Sequence, residues 1–349
     1  IGISALLAML LAALALTVMA SQAQRGQAGT RGAAASGPCD RACLTAIADT
    51  YFAAVAAHDP AKAPMAATAR FTENSKVLPL SEGLWKTATE VPTTFKIVVA
   101  DPTAQQVGGI VMMKDADKPV ELAFRLKVVN RQITEAEHIV ARQFIGAGLA
   151  NLVSPRPSFS ATVPPADRLP RELMLIVGNS YYDSIVQNDG TAAPYGDDCE
   201  RHENGGLTSG GPGTGNQPPA PAAAPAGTRG AAAPRGGGGG APVRRACKEE
   251  MTARWLSYIT SIDLRRVWIA DEERGLIFGL TMFRQPMEEK TLTLLNPDGT
   301  TSPRPMTNGP FDFESAHVFK ISGGKLHDIE ALGISLPLYS KNGWSDFIR

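Results

Sequence analysis

Apolar residues near the start of the folded chain recur at helical spacing: Leu44, Ile47, Ala48, Tyr51, Phe52 and Val55 share one face. His58-Asp59-Pro60 ends that helix or turns the chain out of it. The period then shortens to that of a strand. Phe95 to Val99, Val107 to Met113, Glu121 to Val129 and Ile133 to Val140 read as strands punctuated by Asp-Pro and Asn-Arg. In the third of these, Leu122, Phe124, Leu126 and Val128 alternate to form an apolar face. The order predicts an α+β module, with the helix first and a curved sheet after it.

The pattern then repeats. Tyr51-Phe52, Asp59, Pro64 and Glu73-Asn74 reappear as Tyr181-Tyr182, Asp189, Pro194 and Glu203-Asn204, all at an offset of 130 (181 − 51). Ala100-Asp101 and Gly109 match Ala270-Asp271 and Gly279 at an offset of 170 (270 − 100). Lys127, Ile133 and Glu137 match Lys320, Leu326 and Glu330 at an offset of 193 (320 − 127). Each increase marks an insertion in the second copy. The first contains the Gly/Pro/Ala tract 205–246, too poor in apolar side chains to offset the entropy of ordering it, and is expected to be a disordered loop. The second, Pro286 to Pro310, is rich in turn residues and is expected to extend a hairpin. The aligned face in the second copy reads Ser315, His317, Phe319 and Ile321, so histidine stands where the first copy has Phe124.

These breaks divide the 349 residues into a first domain, 39–150, a proline-rich connector, 151–170, and a second domain, 171–349. Ahead of them, Ala5 to Ala20 is an apolar run shorter than a membrane span, followed by small residues suited to signal-peptidase cleavage. Residues 1–23 are therefore expected to be a signal peptide and 24–38 a disordered linker, giving a secreted or periplasmic protein with no stable membrane anchor after cleavage. Export permits disulfides, and the four cysteines form two local sets, Cys39 with Cys43 and Cys199 with Cys247. A four-residue spacing is poor for a bridge when both cysteines are helical. The net charge of +0 lacks the basic footprint of a nucleic-acid binder. No metal-ligand spacing, phosphate-binding glycine loop or nucleophile elbow occurs, so neither metal nor cofactor is expected.

The tyrosine-bearing first helix, the strand start Phe71-Thr72-Glu73 and the closing alternating strands resemble the nuclear-transport-factor-2-like (NTF2-like) superfamily. That superfamily includes ketosteroid isomerase, scytalone dehydratase and SnoaL-like polyketide cyclases. Four segments are similar to a narrower group of secreted, largely fungal proteins, domain of unknown function 8021. They are Cys39-Asp40-Arg41, Arg70-Phe71-Thr72-Glu73-Asn74, Glu82-Gly83-Leu84-Trp85-Lys86 and Cys199-Glu200-Arg201-His202-Glu203-Asn204-Gly205. The resemblance implies two tandem cones of curved antiparallel sheet wrapped round N-terminal helices, each with an apolar cavity. It implies no settled activity.

By that resemblance Glu73 and Glu203 stand at the position of a proton-shuttling base, where burial raises a carboxyl pKa. The alternative is a carboxylate anchoring its strand to a backbone amide, with Asn74 and Asn204 at turns. Tyr51, Tyr181 and Tyr182 carry phenols that could serve an oxyanion, or are simply core. His317 is either a titratable group or a hydrogen-bonded core residue. His202 adjoins Glu203, but strand neighbours face opposite ways, so both enter one cavity only across a bulge. Glu137 and Glu330, matched in the last strand, are left by alternation facing either cavity or solvent. Trp85 caps a cavity mouth or anchors a loop.

Two functions follow as expectations. One is a cofactor-independent lyase, dehydratase or isomerase acting on a small organic or carbohydrate-derived molecule. The other is a non-catalytic secreted module that binds a small molecule or pairs its two copies as an intramolecular pseudo-dimer.

Overall fold

The computed structural model describes residues 37–210 and 245–344. The expected signal peptide, nearly all of the linker after it and most of the Gly/Pro/Ala tract lie outside these. Helix α1, Arg41–Ala56, opens the first half, with the Asp40 side chain accepting from the Cys43 amide at 2.8 Å. Strands β1 (Met65–Glu73) and β2 (Lys76–Val77) follow, then the one-turn helix α2 (Leu84–Thr87). Strands β3 (Ala88–Glu90), β4 (Lys96–Asp101), β5 (Gln106–Asp115), β6 (Lys118–Val129) and β7 (Gln132–Ala141) complete it. The proline-rich connector contains only single 3-10 turns, as expected where Pro residues remove backbone donors.

The second half repeats the order with α3 (Arg171–Gln187), β8 (Tyr195–Glu203), β9 (Gly206–Gly210), α4 (Cys247–Thr252), β10 (Ser261–Asp271) and β11 (Leu276–Gln285). It closes with β12 (Thr291–Leu295), β13 (Thr301–Pro305), β14 (Phe311–Ser322) and β15 (Lys325–Leu336). Residues 206–210 pair with β8, so the start of the tract expected to be disordered is strand. Strands β12 and β13 form a separate two-stranded ribbon inside the second insertion.

One sheet runs β2-β1-β7-β6-β5-β3 with β4 also on β5; the other runs β10-β11-β14-β15-β8-β9. Each is antiparallel except where its first long strand lies parallel to its last, β1 on β7 and β8 on β15. The exception follows from connectivity, since those strands are joined by the rest of the sheet and not by a hairpin. The sequence offsets reappear in the pairing. Glu73 faces His138 as Glu203 faces Ala331, and Gly109 faces Phe124 as Gly279 faces His317.

Alternation along the strands divides the interior into three layers. Leu122, Phe124, Leu126 and Val128 bury against Leu44, Tyr51, Phe52 and Val55 of α1. Tyr181, Tyr182 and Ile185 of α3 meet Ile277, Phe319 and Ile329 in the second half. The outward faces of the two sheets meet between these layers, Val99, Ile110 and Ile139 packing with Phe278, Val318 and Leu332.

Charges are embedded in that seam. Glu137 is gripped by Arg266, with one contact at 2.6 Å, and by Arg125 at 2.9 Å. Burial works against its charge, but the two guanidiniums hold its carboxyl below the usual range. Arg171 reaches Asp101 at 2.8 Å and Arg41 reaches Asp271 at 2.6 Å, tying the halves together at their edges. Near the chain end, Trp344 donates to Thr72 at 2.9 Å and lies under Arg70 and Arg125.

Both cysteine sets are bonded, Cys39 to Cys43 and Cys199 to Cys247. Cys39 precedes α1 and only Cys43 is helical, which meets the spacing problem. Among the described residues no helix is long and apolar enough to cross a membrane.

Candidate functional site

In the first cone, α1 drives Tyr51 inward and its hydroxyl meets His138 Nε2 at 2.9 Å. His138 Nδ1 lies 3.5 Å from Glu73 Oε2, which also accepts the Leu84 amide at 2.9 Å. Gly83 makes that approach possible: its φ is +62°, and a Cβ there would stand 2.5 Å from Glu73 Oε2. Trp85, carried by α2, packs edge-on against Tyr51 at 5.2 Å between ring centroids. Tyr51, His138, Glu73 and Trp85 are all buried. Burial raises the Tyr51 pKa, and the nearby Glu73 raises it further.

The second cone distributes the same chemistry differently. Tyr181 and Tyr182 flank His317, each 5.3 Å from it between centroids, and Phe319 stacks on the imidazole at 5.6 Å. Neither ring nitrogen of His317 has a hydrogen-bond partner. Burial, reinforced by the Arg201 charge, pushes the His317 pKa down to about 3, so the ring is neutral. Burial pushes the Tyr181 phenol up to about 12.

Arg201 occupies the place of Phe71 at the offset of 130 and shares the inner face of β8 with Glu203 (201 − 71). Its guanidinium bonds Glu203 and donates to Thr208 at 2.8 Å. Burial opposes the charge, yet Tyr181, Glu203 and Glu250 raise the Arg201 pKa, so the cation persists. Glu250 is brought here by α4, which the Cys199–Cys247 bond fastens to β8.

Beside this cluster in the second half lies a cavity of about 630 Å³. Its polar wall carries Arg201, Glu203, Asn204, Glu250 and Gln285, and its apolar wall Ile185, Ile259, Phe283, Phe311 and Phe313. The segment before β10 adds Trp255 and Tyr258, and the second insertion adds Arg304, Met306 and Asn308. Arg304 lies 4.0 Å over the Trp255 ring and donates to its carbonyl at 2.7 Å. Residues 140–146, leaving the first half, close one side.

The residues predicted from sequence therefore separate into four places. Glu203 and Asn204 line the cavity. Tyr181, Tyr182 and His317 are buried in the aromatic cluster of the second cone and are not on the cavity wall. Tyr51, Glu73 and Trp85 form the buried cluster of the first cone. Glu137, Glu330 and His202 lie on the seam side. His202 Nε2 contacts Glu200 at 2.7 Å, and Arg156 contacts Glu330 at 3.2 Å. Asn74 and Asn204 both have positive φ and pin the adjacent strand, accepting from Val140 at 2.7 Å and from Gly333 at 2.8 Å.

Sequence reasoning passed over Arg201, Glu250, Gln285 and Arg304 as site residues. Only Arg201 left a signal, a charge where the first copy has Phe71. The others reach the cavity through tertiary packing, Gln285 from the end of β11, Glu250 from α4 and Arg304 from the second insertion. Among the described residues no group of three or more His, Cys, Asp or Glu side chains could hold a metal ion.

No curated protein matches the chain. A solved protein of unknown function with a cystatin-like fold, from Methylobium petroleophilum PM1, is similar at 17% identity over 31% of this chain and 82% of its own, with a TM-score of 0.25. The profile of a family described as Domain of unknown function (DUF8021) matches residues 38–140 and 167–333, on both sides of the connector. With most of its length matched in two segments, the chain belongs to that family.

Proposed function

We propose that this is an exported tandem NTF2-like protein whose second cone binds a small organic molecule, the two cones pairing back to back as an intramolecular pseudo-dimer. The cavity of about 630 Å³ carries the proposal. Its size is that of small-molecule sites, roughly 300–1,000 Å³, and aromatic walls with a few converging polar groups are their usual lining. The repeated strand order and the matched registers support the tandem NTF2-like build. Two disulfides and the apolar N-terminal run support export.

Proton-transfer chemistry is the second reading, favoured by one observation: Glu203 lies on the cavity wall while its counterpart Glu73 is buried against α2. A cofactor-independent lyase, dehydratase or isomerase would use Glu203 as its base. Binding ranks first because Glu203 is already engaged by the Arg201 guanidinium. His317 and both tyrosines also lie off the cavity wall.

Thermal-shift screening with small aromatic amides, alcohols and ketones, followed by mass spectrometry of the recovered compounds, tests both readings. Stabilisation by a compound recovered unchanged supports binding. Conversion that stops in Glu203→Gln supports the enzyme. No stabilisation and no conversion across the panel contradicts both.

A further inference from the structure

We infer that Gln285 is the specificity-determining residue of the cavity, and that it selects a neutral planar molecule carrying a hydrogen-bond donor and acceptor side by side, as in a carboxamide or lactam. The inference rests on the small-molecule reading above and goes further by naming the ligand's chemistry.

Gln285 ends β11 with only 4% of its surface exposed, and it lines the cavity. It shares a strand face with Phe283 and pairs across the sheet with Phe311, both on the cavity wall. Its side chain thus has one aromatic neighbour along the strand and another across it. Its Oε1 has no hydrogen-bond partner. A buried amide oxygen left unpaired is costly, so a ligand that supplies a donor there gains more than one that merely fills space. A primary amide presents its acceptor beside its donors, and a second amide-like edge complements both at once.

The charged groups on the wall point to a neutral ligand. Arg201 and Glu203 neutralise each other, and Arg142, also on the wall, is paired with Asp115 at 2.6 Å. Arg304 is spread over Trp255 and bonded to its carbonyl, and Glu250 is likewise engaged. A ligand carboxylate would have to compete with Glu203 for Arg201 and approach Glu250 as a like charge. An uncharged group meets no such opposition. The aromatic side chains Phe283, Phe311 and Phe313 on the wall favour a flat body.

Three probes with one body and different edges test this: naphthalene, 2-naphthamide and 2-naphthoate, titrated by fluorescence against the full protein and against Gln285→Leu. The wild-type protein is expected to bind 2-naphthamide about tenfold more tightly than either other probe, the scale of one well-made hydrogen bond in a dry site. In Gln285→Leu the advantage of 2-naphthamide over naphthalene disappears. Thermal unfolding confirms that the variant is folded, with Gln285→Met as the alternative should Leu disturb packing. The inference is overturned if 2-naphthamide shows no advantage in the wild-type protein, or if the advantage survives both substitutions. Naphthalene binding without discrimination removes only the role of Gln285. Failure of all three probes to bind removes the cavity reading as well.

Discussion

His317 stands directly across the β14–β15 pair from Ala331, and at the same place in the first half Phe124 stands across from His138. Each cone thus keeps one imidazole, on opposite members of an equivalent strand pair. His138 has the Tyr51 hydroxyl as partner, whereas His317 is surrounded by rings with both nitrogens unpaired. Replacing His317 by Phe, the residue the first half uses there, should stabilise the protein by about 1–2 kcal/mol at neutral pH, because a buried unpaired polar group is lost at nearly constant volume. His138→Phe should destabilise it by a similar or larger amount, since Tyr51 loses its partner. Denaturant midpoints of the two variants measure both effects.

The same burial makes stability depend on acid. With the His317 pKa lowered from 6.5 to about 3, the unfolded chain takes up this proton first. The contribution is fully present above about pH 6.5 and is lost as the pH falls towards 3. Melting temperatures measured between these limits should fall less steeply in His317→Phe than in the wild-type protein.

Seam carboxyls act in the opposite direction. Burial raises Glu330 from 4.5 to about 7 and Glu314 from 4.5 to about 8, and it drives Glu121, with neither oxygen paired, well above its usual range. Their contribution is present below about pH 4.5 and is lost as the pH rises through 7 to 8. Glu330→Gln should flatten the fall in melting temperature between pH 5 and pH 8, roughly the window set by that raised pKa. An unchanged slope would show that Glu330 does not titrate there.

Arg266 to Glu137 is the buried ion pair that crosses the seam. Arg266→Ala should cost about 3–5 kcal/mol, because it removes one of two guanidiniums from a buried carboxylate. Pairing it with Glu137→Leu should recover much of that loss. A double-mutant cycle in urea separates the pair from the packing around it.

Cys199 and Cys247 join β8 to the short helix that carries Glu250, across a separation of 48 residues. Changing both to Ser should lower stability by about 2–4 kcal/mol through the freed loop. It should also weaken 2-naphthamide and naphthalene binding alike, since the cavity loses a wall.

Much of the fold was legible because it depends on period and repetition. The strands expected at Glu121 to Val129 and Ile133 to Val140 are β6 and β7, and the three offsets return as strand registers. The apolar face Leu122, Phe124, Leu126 and Val128 lies inward as alternation requires. Alternation could not say what covers the other face, so Glu137 and Glu330 remained undecided until the second sheet was seen against them. Of the cavity itself, Glu203 and Asn204 were legible because both copies carry them. His317, legible because it replaces Phe124, lies off the cavity wall, and Arg201 in place of Phe71 was a signal passed over. Gln285 at the end of β11, Glu250 on α4 and Arg304 in the second insertion meet at the cavity only through tertiary packing that no local pattern encodes.

Native mass spectrometry of the full protein with 2-naphthamide tests the cavity most directly, using Ile259→Trp as the variant that fills it. Ile259 is on the cavity wall, and a larger ring there takes up the space a ligand needs. One bound molecule per wild-type chain and none on a folded Ile259→Trp chain is the expected result. No binding to the wild-type protein, or equal binding to both, would contradict a ligand site in the second cone.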